Sequence, residues 1–275
     1  MLPLLLLLAV PAAAPPDHPS PSKQAWTILR DGAADKSGTR RARALHSLGM
    51  LNNRQAQSIA EEALADPDKD VRSEAATSLG RMRALAARPK LRACLNDKEV
   101  QVVLACANSL YLLKDPLAFE VYYALLTEER KSSGGLVQSQ LDTLHDRRQL
   151  EKLAFETGIG FVPFGGMGWQ AIKTIAHDDA SPVRALAAER LATDPDPKSA
   201  KALADYLADK KTRVREAVVE AIAKRGDPAL LKAVIPLLDD ENEGVRFDAA
   251  ATVIRLSQRR LPPRAKGSVL VGRPK

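Results

Sequence analysis

The sequence predicts an all-α protein, an α-solenoid of about six helical hairpins with an irregular helical insertion in the middle. Three observations lead to this fold class: a motif that recurs with a fixed period, a composition dominated by Ala and Leu, and few aromatic side chains. Ala and Leu both favour helices, and small side chains let helices approach closely. Aromatic residues make up only 4% of the 275 residues, whereas a single compact core of this size normally uses more of them. Stacked helices account for both features of the composition.

The recurring motif is an Asp, then Val-Arg five and six residues later, then a pair of small residues and an apolar residue. Its copies begin in two runs, each with a spacing of 31 residues, at Asp35, Asp66 and Asp97 and at Asp178, Asp209 and Asp240. The Asp is expected to cap the helix that carries the rest of the motif. The Val, the small pair and the apolar residue share one helical face. A second helix is predicted in each unit, as at 56–65, 198–208 and 229–238, and stacking of neighbouring units buries the apolar stripes.

This pattern resembles the HEAT-like repeats first associated with phycobilisome lyases, over residues of about 35–127 and 178–257. The resemblance implies that the motif's Arg pairs with the Asp of an adjacent unit, so that the pairs form an internal ladder. The alternative is a row of Arg side chains that binds anionic groups. The third unit has Val103 in place of the Arg, so the ladder is expected to be interrupted there. The predicted ladder residues are Asp66, Arg72, Asp178, Arg184, Asp209, Arg215, Asp240 and Arg246.

The ends of the chain differ in composition from the repeats. An apolar run at 2–10, followed by small residues, predicts a cleavable signal peptide over 1–13 and hence export to the periplasm or the extracellular space. A Pro-rich linker is expected at 14–22, before repeats at 23–127 and 178–258. A flexible basic tail follows at 259–275 and contributes to the net charge of +7. No recognition motif accompanies that charge, so no nucleic-acid partner is expected.

The periodic motif is absent from residues 128–177, which are predicted to form an irregular helical insertion. Its uncharged segment at 158–169 is rich in Gly and aromatic residues and permits two interpretations. It is either a tight turn whose rings pack on the solenoid core, or an apolar loop that inserts into a protein partner or makes weak contact with a membrane surface. In the second case the contact residues would be Phe161, Phe164, Met167 and Trp169.

The two cysteines, Cys94 and Cys106, align with residues in other units that cannot form a disulfide. We therefore expect two core thiols rather than a required bridge, because Cys behaves well as a small buried side chain. An exported protein would nevertheless meet an oxidising environment that permits a bridge.

No arrangement typical of catalysis is found among the polar residues. The four histidines form no i, i+4 pair for a zinc site, and neither Cys lies near a His. The HEAT-like family includes deoxyhypusine hydroxylase, an iron enzyme with His-Glu ligands, but no His here is followed by Glu. A Gly-x-Ser-x-Gly elbow and a phosphate-binding loop are also absent. The sequence therefore predicts no catalytic residue, no metal and no cofactor.

The function expected from these observations is that of an exported, non-catalytic scaffold that presents its repeats to a protein partner. Two alternatives remain open. One is a bilin-lyase-like accessory enzyme that holds a tetrapyrrole, which rests on fold analogy alone. The other is a peripheral membrane protein that uses the segment at 158–169 and the basic tail.

Overall fold

The structure is a computed structural model that describes residues 19–127 and 180–258. Both ranges are helical, and neither contains a β-strand. Seven α-helices lie in the first range: α1 (Pro21–Ala33), α2 (Gly38–Leu48), α3 (Arg54–Ala63), α4 (Lys69–Arg81), α5 (Arg88–Cys94), α6 (Val100–Leu112) and α7 (Leu117–Thr127). Five lie in the second: α8 (Ser181–Leu191), α9 (Pro197–Asp205), α10 (Thr212–Arg225), α11 (Leu231–Val234) and α12 (Glu243–Gln258). The predicted all-α solenoid is confirmed.

The Asp that opens each motif lies in a turn just before the helix rather than at its N-cap. Asp66 accepts a hydrogen bond from the backbone N–H of Asp68 at 2.8 Å, and Asp68 is the residue that caps α4. The same bond, from the N–H two residues later, is made to Asp97, Asp209 and Asp240. Asp and Asn side chains commonly stabilise turns in this way. The motif Asp therefore lies two residues before the N-cap that was expected for it, and its carboxylate remains available to a neighbouring unit.

The apolar stripe of each motif helix is buried between units. In α4, the side chains of Val71, Ala75, Ala76 and Leu79 are all fully buried. The small pair lets the neighbouring motif helix approach closely. At this short distance, buried serine hydroxyls donate hydrogen bonds to backbone carbonyl groups of the neighbouring helix. Ser78 donates to the carbonyl of Leu45 at 2.8 Å, and in the following unit Ser109 donates to the carbonyl of Ala76 at the same distance.

Glycine makes this approach possible. A Cβ on Gly80 would lie 2.5 Å from Oγ of Ser109, which is closer than side chains tolerate.

The motif helices stack in a spatial order that differs from their order in the chain. In the first run α2 packs on α4 and α4 on α6, and in the second α8 packs on α10 and α10 on α12. The two runs then join, because α12 packs against both α1 and α2. We call this contact between the last and first units the seam. Among the described residues the stack thus runs from α8 through the seam to α6 and α7.

The seam is closely packed. A Cβ on Gly32 in α1 would lie 2.5 Å from the ring of Phe247 in α12, and Phe247 is only 3% exposed. Arg255 in α12 donates to the carbonyl of Met50 at 2.6 Å, just beyond the end of α2. Helix α1 begins at Pro21, so two residues assigned to the Pro-rich linker already belong to the folded unit.

Cys94 and Cys106 form a disulfide between α5 and α6, so the prediction of two free thiols was wrong. Their Cα atoms lie 6.2 Å apart, within the range that a bridge requires. The repeat register correctly placed Cys106 at a fully buried position. It gave no information about how closely the end of α5 approaches α6, and that distance decides whether a bridge forms.

No helix within 19–127 or 180–258 is both long enough and apolar enough to span a bilayer.

Candidate functional site

The repeated Arg side chains lie between neighbouring units and bind the next Asp in bidentate fashion. Arg72 donates to the two carboxylate oxygens of Asp97 at 2.7 and 2.9 Å. Its third nitrogen donates to the carbonyl of Asp66 at 2.8 Å. Arg41 with Asp66, and Arg215 with Asp240, repeat this arrangement. The positive charges of these Arg side chains are therefore neutralised by carboxylates inside the protein. This disfavours the alternative in which the row of Arg side chains binds anionic groups.

The ion pairs also lower the pKa of their carboxyl groups. Burial alone would raise the pKa of Asp97, but the hydrogen bonds from Arg72 and from the backbone of Glu99 outweigh it. The pKa of Asp97 therefore lies below its ordinary value, and Asp66 behaves in the same way beside Arg41.

The ladder is weaker at both ends of the second run. Arg184 lies 3.1 Å from Asp209, but its side chain is 34% exposed. Arg246 donates to the carbonyl of Asp240 at 2.7 Å, and Glu243 on its own helix approaches to 3.8 Å. At the seam it is Arg40 that contacts both Asp35 and Glu243. Asp178 lies outside the described residues.

In the third unit, where Val103 replaces the Arg, a different ion pair is found. Asp115, between α6 and α7, has a fully buried side chain and accepts hydrogen bonds from Arg92 at 2.8–3.0 Å. The disulfide joins α5, the second helix of the preceding unit, to α6 of this unit.

The residues of the proposed partner-binding loop, Phe161, Phe164, Met167 and Trp169, lie outside the described residues. Among the described residues, an open groove of about 610 Å³ lies at the seam. Five helices contribute to it at or near their carboxyl ends: α2, α4, α8, α10 and α12. We call it the seam groove, and it is lined by Gly49, Met50, Leu51, Asn52, Arg81, Met82, Arg83, Glu189, Ala192, Glu220, Ala221, Ala223, Lys224 and Arg255.

A second pocket of about 380 Å³ adjoins the seam groove and shares Glu220 with it. His46 lies in this pocket, with Nδ1 3.1 Å from Glu74 and Nε2 3.4 Å from Glu220. The hydrogen bonds to Glu220 and Glu74 raise the pKa of His46 to about 9, although burial opposes the shift. The imidazole is therefore a cation at neutral pH and joins α2 to α4 and α10.

Asp248 lies at the base of the same pocket and is 5% exposed. Burial raises its pKa to about 6, even though Ser47 donates a hydrogen bond to it at 2.6 Å. The nearby carboxylates of Glu220 and Glu216 raise it further. A carboxyl with this pKa suits general acid–base chemistry, but the hydrogen bond that Asp248 accepts from Ser47 joins α12 to α2 across the seam.

Within the described residues, no group of three or more His, Cys, Asp or Glu side chains is arranged to hold a metal ion. The pocket carboxylates are instead engaged by cations, as in the contact between Arg43 and Glu216. The seam contacts were not predicted from sequence, but one signal was present. Phe247 is the only aromatic residue at its motif position, where the other units have Ala42, Ser73, Leu104, Ala185 and Glu216.

The family model of HEAT repeats matches residues 27–126 and 170–255. No curated protein sequence matches the chain. Among solved structures, the CpcE–CpcF complex of phycocyanin lyase from Nostoc sp. PCC7120 is 19% identical, with a TM-score of 0.34 over 92% of this chain and 100% of that chain. Human deoxyhypusine hydroxylase in complex with glycerol is 17% identical, with a TM-score of 0.32 over 86% and 85% of the two chains. At these values neither similarity supports an inference about function.

Proposed function

Since the chain belongs to the HEAT-repeat family, we propose that it is an exported, non-catalytic scaffold that holds a protein partner in the seam groove. The observation that carries this proposal is the construction of the groove. It exists only because the last unit packs on the first, and it combines side chains from both runs of repeats. Residues from separate elements that converge on one concave surface are typical of binding sites.

The composition of the seam groove favours a polypeptide ligand. Its floor contains the buried side chains of Leu51, Met82 and Ala221, while Asn52 and Lys224 at its rim are exposed. An apolar centre with a polar rim is the usual organisation of a protein–protein contact.

Export is proposed on two grounds. The first is the apolar run at 2–10 followed by small residues. The second is the Cys94–Cys106 disulfide, because such bridges persist in oxidising compartments and are rare in the cytosol. Amino-terminal sequencing of the mature protein tests this proposal. We expect a start at residue 13 or 14, whereas an intact Met1 on a cytoplasmic protein would contradict it.

Photo-crosslinking in the native host tests the scaffold role. A photoreactive amino acid is placed at Asn52 or Lys224, which line the seam groove. Matched controls carry it at Lys36 or Lys210, which are exposed and precede α2 and α10. Helix α10 has 14 residues, so Lys210 and Lys224 are separated by roughly 20 Å. We expect the same protein to be captured from both groove positions and from neither control. Equal capture from all four positions, or capture from none, would refute the proposal.

A further inference from the structure

The seam groove carries an excess of positive charge. Arg81, Arg83, Lys224 and Arg255 line it, against Glu189 and Glu220. Glu220 already accepts a hydrogen bond from His46, whose raised pKa keeps it charged at neutral pH. Basic charge therefore dominates the side of the groove that faces solvent.

Arg83 occupies a backbone conformation that a glycine would adopt more easily. Its φ is +53°, in the left-handed region, and the equivalent positions of two other units share this conformation, Lys114 with φ +57° and Gly226 with φ +67°. All three residues lie 17 positions after the Asp of their motif. Glycine adopts this conformation at lower cost than a residue with a Cβ. Of the two basic residues at this position, Arg83 is the one that lines the seam groove.

Lys224 lies in the last turn of α10, and Arg83 lies two residues beyond the end of α4. A cation at either place interacts favourably with the negative end of a helix dipole. Position 83 is the more informative one for a test, because Gly at 83 removes the side chain without straining the positive φ of the backbone.

We propose that the seam groove binds an acidic polypeptide segment that also carries apolar side chains. The carboxylates would contact Arg83 and Lys224 at the rim, and apolar side chains would cover the floor beside Met50 and Met82. This inference rests on the proposed scaffold function and specifies the chemistry of the partner.

A polypeptide fits the groove better than a nucleic acid. The floor of the groove is apolar, with the buried side chains of Leu51, Met82 and Ala221. Apolar side chains of a peptide can cover this floor while its carboxylates reach the basic rim. A phosphate backbone carries charge but no apolar side chains, so it would leave the floor uncovered.

Fluorescence anisotropy with the full chain tests the inference. The probe is a labelled peptide in which Asp and Glu alternate with Leu, and the comparison ligands are its Lys-containing counterpart and a single-stranded oligonucleotide of similar length. The acidic peptide is expected to bind most tightly, and its affinity should fall with added salt because exposed charges are screened. Tighter binding of the basic peptide or of the oligonucleotide would overturn the inference.

The informative variant combines Arg83→Gly with Lys224→Ala, and the matched control combines Lys36→Ala with Lys210→Ala. Loss of two rim contacts should weaken binding of the acidic peptide by about five- to thirtyfold, whereas the control should stay within about twofold of the unchanged protein. The single variant Arg83→Gly should bind more weakly and yet melt no lower, since glycine suits the backbone at 83. A lower melting temperature with unchanged affinity would show that Arg83 is structural and would refute the proposal.

The two proposals fail separately. Specific crosslinks from Asn52 without any affinity for the acidic peptide would preserve the scaffold and eliminate the acidic partner. If the acidic peptide binds in a manner that depends on Arg83 but no crosslinks form in the host, the inference about the ligand's chemistry stands and the proposed scaffold function is refuted.

Discussion

Replacement of Arg215 by Ala gives the sharpest test of how the units are held together. Arg215 donates to both carboxylate oxygens of Asp240 at 2.8 Å and to the carbonyl of Asp209 at 2.9 Å. The side chains of Arg215 and Asp240 are only 8% and 9% exposed. Ala at 215 would leave the Asp240 carboxylate buried without its cation.

Breaking a buried ion pair by removing one partner costs about 3–5 kcal/mol. Asp240 would keep its hydrogen bond from the backbone N–H of Asn242, so the lower end of that range is expected. We therefore expect Arg215→Ala to lower the free energy of unfolding by about 3 kcal/mol. Arg184→Ala should cost about 1 kcal/mol, because its side chain is 34% exposed and water screens the pair with Asp209.

Urea denaturation, followed by circular dichroism at 222 nm, measures these differences. The matched control is Arg213→Ala, on the same helix but exposed, with an expected change within about 0.5 kcal/mol. If the denaturation midpoints of Arg215→Ala and Arg213→Ala coincide, the repeated Arg does not stabilise the stack.

Three further predictions concern titration and oxidation. The pKa of Asp248 is raised from 3.8 to about 6, so its ionisation destabilises the protein as pH rises through that interval. Asp248→Asn should therefore raise the melting temperature at pH 7 and leave it unchanged at pH 3.5; no gain at pH 7 would contradict this. The pKa of His46 is raised from 6.5 to about 9, so its stabilisation is complete below pH 6.5 and is lost as pH rises through 9. The stability deficit of His46→Gln should accordingly be largest near pH 6 and small at pH 9.5, and a deficit independent of pH would count against the ion pairs. Reduction of the Cys94–Cys106 bridge, which closes a short loop with a sequence separation of 12, should cost about 2–3 kcal/mol in thermal denaturation. The double variant Cys94→Ala and Cys106→Ala should be insensitive to reductant, and equal melting temperatures of the oxidised and reduced protein would contradict the prediction.

The local features of the fold were predictable because they repeat. The spacing of Asp and Val-Arg fixes both the length of a unit and the burial of residues such as Val71 and Leu79. The seam was not predictable in this way. Its contacts, such as Ser47 with Asp248, join residues 201 positions apart and occur once, so no period reveals them.

The disulfide was missed for a related reason. Comparison of repeats shows which residue types a position tolerates, but Cys94 and Cys106 lie in neighbouring units, and no other unit has Cys at either position. Whether they bond depends on the distance between two particular helices. The candidate binding surface likewise depends on which units become neighbours. The sequence predicted the helical units that form this surface, and the three-dimensional structure showed which units are neighbours in space.

The seam also determines what happens when the chain is shortened. In most linear repeat arrays, truncation from a terminus removes an outer repeat and leaves the remainder stacked. Here the residues nearest both described ends, in α1 and α12, lie in the middle of the stack. Removal of α12 would therefore separate the two runs of motif helices. Removal of α1 or α12 would expose apolar side chains of the other, such as Leu29 in α1 and Ile254 in α12, which are now almost fully buried. Within the described ranges, α7 and α8 are internal in sequence but lie at the two ends of the stack, so the gain or loss of a repeat beside them would leave the seam intact.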